Sequence, residues 1–130
     1  NQDCHVILRG GESGPNYDAV SVQKVAPALR TAGVAPRMMI DASHGNSSKD
    51  YRRQPAAVHD VATQVGEGEP AIFGMMMESF LVDGRQELVD PGTLRYGQSI
   101  TDACMGWDMT VPAIAALAEA VRTRRRVGTI

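Results

Sequence analysis

Residues 38–49 read MMIDASHGNSSK, an apolar run that passes directly into a polar loop with a histidine. A short apolar run that ends in small and polar residues is typical of a strand buried on both faces in a parallel α/β protein. In such folds, ligands bind at the carboxyl ends of the strands. His44, just after the predicted strand, is therefore the first candidate for a functional residue.

The same unit of strand, polar loop and helix occurs three times along the chain. The predicted strands cover residues 5–9, 37–41 and 71–78, and the predicted helices cover residues 17–32, 49–65 and 110–125. We expect a kink or a break at Pro27, and a helix start capped by Thr110 after a long loop, residues 79–108. The apolar stripe predicted to be buried on the last helix consists of Val111, Ile114, Leu117, Ala118 and Val121.

Strands that alternate with helices predict parallel pairing through right-handed crossovers. A closed eight-unit barrel needs about 250 residues, and three parallel strands alone would leave two unpaired edges. We therefore interpret residues 1–130 as the C-terminal part of a single catalytic domain, which supplies the last three βα units of a (β/α)8 TIM barrel. A free-standing three-stranded α/β/α layer is the alternative architecture.

Composition narrows the possible partners. The chain is 43% hydrophobic and 22% charged, with a net charge of -2, which is typical of a soluble globular unit. This charge predicts neither a nucleic-acid nor a membrane partner, and no apolar run approaches the roughly 20 residues of a membrane span. Two cysteines, Cys4 and Cys104, favour the cytoplasm over a disulfide-stabilised secreted fold.

Three residues near the ends of the predicted strands, and one in the long loop after the third strand, have side chains suited to phosphate or metal. The guanidinium of Arg9 can hold a phosphate or carboxylate through two parallel hydrogen bonds, and a structural ion pair is the alternative. His44, Glu78 and Asp102 offer one nitrogen and two carboxylates, a ligand set suited to Mn²⁺, Fe²⁺, Co²⁺ or Zn²⁺. A hydrogen-bonded histidine and a capping aspartate are the structural alternatives for His44 and Asp102.

Two further residues in the same region have open roles. Asp41 ends the second strand and is placed either to orient His44 or to form a structural ion pair. Lys49 is placed to face a phosphate, or it is simply a solvated lysine in the first turn of a helix.

Five stretches together resemble the class I 3-deoxy-D-arabino-heptulosonate 7-phosphate (DAHP) synthases, in the right order and at compatible spacings. They are residues 3–11, 15–17, 40–49, 77–79 and 99–107. The resemblance implies a (β/α)8 barrel and a metal-dependent aldol-type condensation of phosphoenolpyruvate with erythrose 4-phosphate. The products are DAHP and phosphate, in the first step of the shikimate pathway to aromatic amino acids. For the full-length protein we also expect a homo-oligomer.

The resemblance also implies residue roles. His44, Glu78 and Asp102 match three of the four ligands of the divalent metal, and Arg9 matches one of the cations that hold the phosphate of phosphoenolpyruvate. His44 is the residue to which we assign a catalytic role.

The chain departs from the family pattern in several places. The fourth ligand is a cysteine of an early strand, which neither Cys4 nor Cys104 matches, and the Lys-Pro-Arg-Thr motif for erythrose 4-phosphate is absent. We therefore expect the isolated chain to have an incomplete site and to be inactive. The alternatives are the related 3-deoxy-D-manno-octulosonate 8-phosphate synthase, against which residues 99–107 argue, and a non-catalytic half-barrel that binds metal or mediates oligomerisation.

Overall fold

A computed structural model describes residues 4–128, so that Asp3 of the first matched stretch lies outside the described residues. The elements in chain order are β1 (Val6–Leu8), α1 (Ala19–Thr31), β2 (Met38–Asp41), α2 (Gln54–Gly66), β3 (Ile72–Met76), β4 (Val82–Arg85), β5 (Gln98–Ser99) and α3 (Trp107–Val127). Two single 3₁₀ turns occur at Tyr51–Arg53 and Pro91–Thr93. Within residues 4–128, no helix is both long and apolar enough to cross a membrane.

The main sheet has the order β1-β2-β3, and both strand pairs are parallel. Leu8 lies beside Ile40, and Ile40 lies beside Met75. The carboxyl ends of the three strands therefore meet at one edge of the sheet. This arrangement confirms the prediction of parallel pairing between successive strand and helix units.

All three helices pack against the same face of this sheet. The core contains side chains from every second strand position together with side chains from each helix: Leu8, Met38, Ile40, Ile72, Val22, Ala26, Leu29, Val61, Ala62, Val65 and Ala120. On β1 and β3, Ile7 and Phe73 point away from this core and are 48% and 47% exposed. These two side chains are exposed because the helices cover only one face. For the strand at residues 38–41, where we expect burial on both faces, Met38, Ile40 and Asp41 are buried and Met39 is half-buried.

The helix boundaries follow local hydrogen bonds. Asp18 caps α1 by accepting hydrogen bonds from the backbone N–H and the hydroxyl of Ser21, at 3.0 and 2.7 Å. Pro27 lies inside α1 without dividing it, so the predicted break is wrong. The last helix begins at Trp107 rather than at Thr110, because Gly106 is its N-cap and the Thr110 hydroxyl donates to the Gly106 carbonyl.

The predicted long loop contains structure of its own, which corrects the sequence interpretation. Strands β4 and β5 form a small parallel sheet. The chain then returns to the segment just after β3, where Met105 N–H donates to the Glu78 carbonyl at 2.9 Å and Phe80 N–H donates to the Met105 carbonyl at 2.9 Å. This return brings Asp102 back to the end of β3.

The buried stripe of α3 is only partly the predicted one. Val111 and Ile114 are exposed, whereas Ala113 and Ala120 are buried. Small side chains allow α3 to lie close to α2, so that a Cβ on Gly66 would be only 3.9 Å from Ala120. Of the predicted stripe, Leu117 and Val121 are partly buried against the core, whereas Val111 and Ile114 face solvent in this chain.

Candidate metal centre

An open cavity of about 290 Å³ lies at the carboxyl edge of the main sheet. Its lining residues come from the loops after all three strands: Arg9, Ser43, His44, Lys49, Glu78, Asp102 and Ala103. All four residues selected from the sequence as site candidates are in this set. Parallel pairing explains the convergence, because it brings the ends of strands distant in sequence to one edge.

Three of the lining residues are close enough to share one metal ion. His44, Glu78 and Asp102 each offer a ligand atom, and these atoms all lie within 4.8 Å of one another. His44 Nε2 and Asp102 Oδ2 are 4.0 Å apart. One imidazole nitrogen and two carboxylate oxygens fit a borderline divalent ion. A cation would also offset the repulsion between two neighbouring carboxylates.

The orientation of the His44 ring is set by Asp41. His44 Nδ1 lies 2.7 Å from Asp41 Oδ2, and the other carboxylate oxygen of Asp41 accepts a hydrogen bond from the Ser43 backbone N–H at 2.7 Å. Asp41 is buried at the end of β2, so its carboxylate is held in place. Nε2 of His44 is the ring nitrogen left to face the cavity. Such carboxylate to histidine pairs are the usual support of a histidine metal ligand.

Three residues of the loop after β2 have unusual backbone angles. His44, Ser48 and Lys49 have φ values of 45°, 54° and 61°, in the left-handed region that few non-glycine residues adopt. Backbone hydrogen bonds hold this conformation, among them Lys49 N–H to the His44 carbonyl at 2.8 Å. Strained residues of this kind are concentrated at functional sites, where the surrounding structure maintains them.

Asn46 joins the loops after β1 and β2. Its buried amide donates to the carbonyls of Leu8 and Asp41, at 3.0 and 2.7 Å, and its Oδ1 accepts from Asn16 N–H at 2.8 Å. Asn16 in turn accepts a hydrogen bond from Gly10 N–H at 2.7 Å. These bonds fix the position from which Arg9 reaches the cavity.

Two glycines permit this close approach of the loops. A Cβ on Gly10, which has a φ of 80°, would lie 2.4 Å from the carbonyl carbon of Gly45. A Cβ on Gly11, by contrast, would meet nothing within 4 Å. At Gly10 the missing side chain therefore makes room for another loop.

Glu78 lies two residues beyond β3, which ends at Met76, rather than directly at the strand end as expected. Its carboxylate accepts a hydrogen bond from the Ser43 hydroxyl at 2.6 Å. Its backbone contacts the side chain of Gln54, a residue that the sequence pattern did not single out. Ser43 and Gln54 are 35 and 24 residues away from Glu78 in sequence, so no local pattern could have linked them to it.

Two other ionisable groups belong to this region. Lys49 lines the cavity with an exposed side chain. Cys104 follows Asp102 by two residues, and burial raises the pKa of its thiol. The negative charges of Glu78 and Asp102 raise this pKa further. Within residues 4–128, no carboxylate forms a salt bridge with Arg9.

Comparison with known proteins gives consistent matches. A sequence model of the DAHP synthetase I family matches residues 1–114. The phospho-2-dehydro-3-deoxyheptonate aldolase of Haemophilus influenzae is 50% identical over 126 residues, which are 97% of this chain and 35% of that protein. The Phe-sensitive enzyme of that name from Escherichia coli (strain K12) is 50% identical over 125 residues, which are 96% of this chain and 35% of that protein.

A solved structure is similar over almost the same region. The phospho-2-dehydro-3-deoxyheptonate aldolase of Francisella tularensis SCHU S4 superimposes with a TM-score of 0.90 at 44% sequence identity. The superposition covers 95% of this chain and 36% of that one. The chain thus spans about a third of the length of the relatives that it matches.

Proposed function

Because the chain belongs to the DAHP synthetase I family, we propose that it forms the C-terminal part of a phospho-2-dehydro-3-deoxyheptonate aldolase. The proposed reaction joins phosphoenolpyruvate to erythrose 4-phosphate and gives DAHP and phosphate. One observation carries the proposal: a guanidinium and three clustered metal-ligand atoms line a single cavity at the carboxyl edge of a parallel sheet.

The complete architecture that we propose is a (β/α)8 barrel, with residues 1–130 as the C-terminal part of its single domain. Successive strands are neighbours in the sheet, and the helices cover one face, as they do in one arc of a barrel wall. Ile7 and Phe73 on the opposite face are the side chains that would enter the barrel interior. In a three-stranded α/β/α layer, helices would cover that face as well.

We assign the divalent ion, Mn²⁺, Fe²⁺, Co²⁺ or Zn²⁺, to His44, Glu78 and Asp102. When bound, such an ion supplies a Lewis acid that polarises a carbonyl oxygen. Asp41 keeps the His44 proton on Nδ1 and the lone pair of Nε2 available to the cavity. Ser43 holds the Glu78 carboxylate from the other side.

The chain's own cations are assigned to the phosphate groups. Arg9 has no partner carboxylate within the described part of the chain, so its planar guanidinium is free to bind the phosphate of phosphoenolpyruvate with two hydrogen bonds. Lys49 adds a second positive charge to the same cavity. Together these cations would place the phosphate beside the metal ligands, which orients one substrate toward the polarised carbonyl of the other.

A chimera tests this function. In the Escherichia coli relative, the matching third is replaced by this chain, and phosphate release from phosphoenolpyruvate is measured with erythrose 4-phosphate, first with Mn²⁺ and then with chelator. We expect release that needs both the sugar phosphate and the metal, and loss of release in the His44→Ala chimera. The 130-residue chain alone should release none.

Three results would contradict the proposal. Release that persists in chelator would remove the metal from the mechanism. A folded chimera that accepts only a five-carbon aldose phosphate, as the carbon count of an octulosonate requires, would favour the octulosonate synthase. A folded but inactive chimera that still binds Mn²⁺ would favour the non-catalytic metal-binding module.

A further inference from the structure

We infer that Gln54 is a positioning residue for the metal centre, because its side-chain amide pairs with both backbone groups of Glu78. The inference rests on the proposed function, since it gives Glu78 the role of a metal ligand. Gln54 is the first residue of α2 and does not line the cavity. It therefore acts on the site only through Glu78.

The two residues form a reciprocal pair of hydrogen bonds. Gln54 Nε2 donates to the Glu78 carbonyl at 3.1 Å, and Gln54 Oε1 accepts from the Glu78 backbone N–H at 2.9 Å. A primary amide offers a donor and an acceptor side by side, as the backbone of a paired strand does. Because β3 has already ended at Met76, the N–H of Glu78 has no partner in the main sheet, and Gln54 Oε1 accepts its hydrogen bond. The Glu78 carbonyl accepts from Gln54 Nε2 and also from Met105 N–H.

The burial of Gln54 indicates that this pairing is specific. Its side chain is 0% exposed, and both of its polar atoms are hydrogen-bonded to the same residue. A buried amide costs free energy unless its hydrogen bonds are satisfied, and an apolar side chain of this size would fill the space without that cost. The amide at this position is therefore explained by the need to pair with the Glu78 backbone.

The pairing fixes Glu78 at two points. Gln54 holds the backbone, and the Ser43 hydroxyl holds the carboxylate at 2.6 Å. With both ends held, a carboxylate oxygen of Glu78 stays within 4.8 Å of the ligand atoms of His44 and Asp102. Residues that support metal ligands in this way typically account for 10- to 100-fold in metal affinity.

The test compares two buried glutamines of the same helix in the 130-residue chain. Gln54→Met replaces the amide with an unbranched apolar side chain. Gln64→Met is the matched control, because Gln64 is 6% exposed and its amide donates to Tyr17 and Asp60 instead of to the site. Mn²⁺ affinity is measured by titration, the Co²⁺ absorption spectrum reports the ligand set, and thermal unfolding without metal reports stability.

We expect Gln54→Met to weaken Mn²⁺ binding about 10- to 100-fold and to change the Co²⁺ spectrum. Gln64→Met should keep the Mn²⁺ affinity within about twofold and leave the Co²⁺ spectrum unchanged. We expect this even if Gln64→Met lowers the thermal stability as much as Gln54→Met does. If Gln54→Met does not fold, Gln54→Asn and Gln64→Asn are compared instead, since the shorter amide cannot reach both backbone groups of Glu78.

The outcomes separate this inference from the proposed function. Wild-type Mn²⁺ binding that is lost in His44→Ala but unchanged in the folded Gln54 variant would overturn the positioning role and leave the metal centre intact. Equal weakening by the Gln54 and Gln64 substitutions would also overturn it, because the effect would then be one of general stability. A wild-type chain that binds no Mn²⁺ would overturn the metal centre itself, and with it the role of Gln54.

Discussion

Replacing Asp41 with asparagine should weaken metal binding by changing the tautomer of His44. Asp41 Oδ1 accepts the Ser43 backbone N–H at 2.7 Å, so the asparagine carbonyl oxygen must take that position. The new NH₂ group then faces His44 Nδ1, which the aspartate oxygen now contacts at 2.7 Å. An NH₂ donor requires Nδ1 to be the acceptor, and the ring proton then moves to Nε2. A protonated Nε2 has no lone pair for a metal.

The size of the effect follows from the bond that is lost. Asp41 is 2% exposed, so water cannot replace its carboxylate. A hydrogen bond to a charged group contributes about 1.5–3 kcal/mol. At about 1.4 kcal/mol for each factor of ten, this corresponds to a loss of roughly 10- to 100-fold in metal affinity. If the asparagine amide were flipped, its oxygen would face His44 Nδ1 and the ring tautomer would be kept. The NH₂ group would then face the Ser43 N–H, which would lose its acceptor at a similar cost in free energy.

Mn²⁺ titration at pH 7.5 measures this loss, with the free ion followed by electron paramagnetic resonance. Asp60→Asn is the matched control, because Asp60 lies on α2, accepts a hydrogen bond from Gln64 and does not line the cavity. It should retain the wild-type affinity. An Asp41→Asn protein that folds and binds Mn²⁺ as tightly as the wild type would refute the tautomer argument.

Three further outcomes are expected. Gly10→Ala should lower the free energy of unfolding in urea by about 1–3 kcal/mol or more, since its Cβ would lie 2.4 Å from Gly45 and its φ is 80°, whereas Gly11→Ala, with open space around it, should change little. Hydrogen bonds from the hydroxyl and backbone N–H three residues later hold the pKa of Asp18 below its ordinary value of 3.8. The stability that Asp18 provides is therefore fully present above that value and is lost as the pH falls through the lower folded pKa, a loss that urea unfolding at about pH 2–5 should detect and that Asp18→Asn should remove. Because burial raises the pKa of Cys104, iodoacetamide at neutral pH should alkylate this thiol more slowly in the folded chain than in denaturant, and equal rates would contradict this.

The parallel fold was predictable because the strands are short apolar runs that end in polar residues. Met38–Asp41 and the loop after it are contiguous in sequence, and the position of His44 follows directly from that contiguity. Arg9 was found in the same way at the end of β1. For Asp102 the residue pattern left a metal ligand and a capping residue as alternatives, because Asp102 lies far along a loop whose small sheet shows no apolar alternation.

Other features depend on contacts that sequence patterns do not encode. The apolar periodicity of α3 could not distinguish Val111 and Ile114, which are exposed in this chain, from Ala113 and Ala120, which are buried against other helices. Periodicity identifies an apolar face, but whether that face is covered depends on the neighbouring elements. Gln54 gave no signal, because its partner is 24 residues away and is reached through backbone atoms that every residue has.

The distribution of buried polar groups links the fold to the site. Burying a polar side chain costs free energy unless its hydrogen bonds are satisfied, so each buried polar residue needs a structural or functional explanation. Most of those in this chain lie at the carboxyl edge of the sheet or in the loop that follows it: Asp41, Ser43, Asn46, Ser47 and Gln54. An edge that served only to end three strands would be stable with apolar and solvated residues. The bonds described above instead direct His44 and Glu78 into one cavity, so the polar layer under the site is better explained by ligand geometry than by stability.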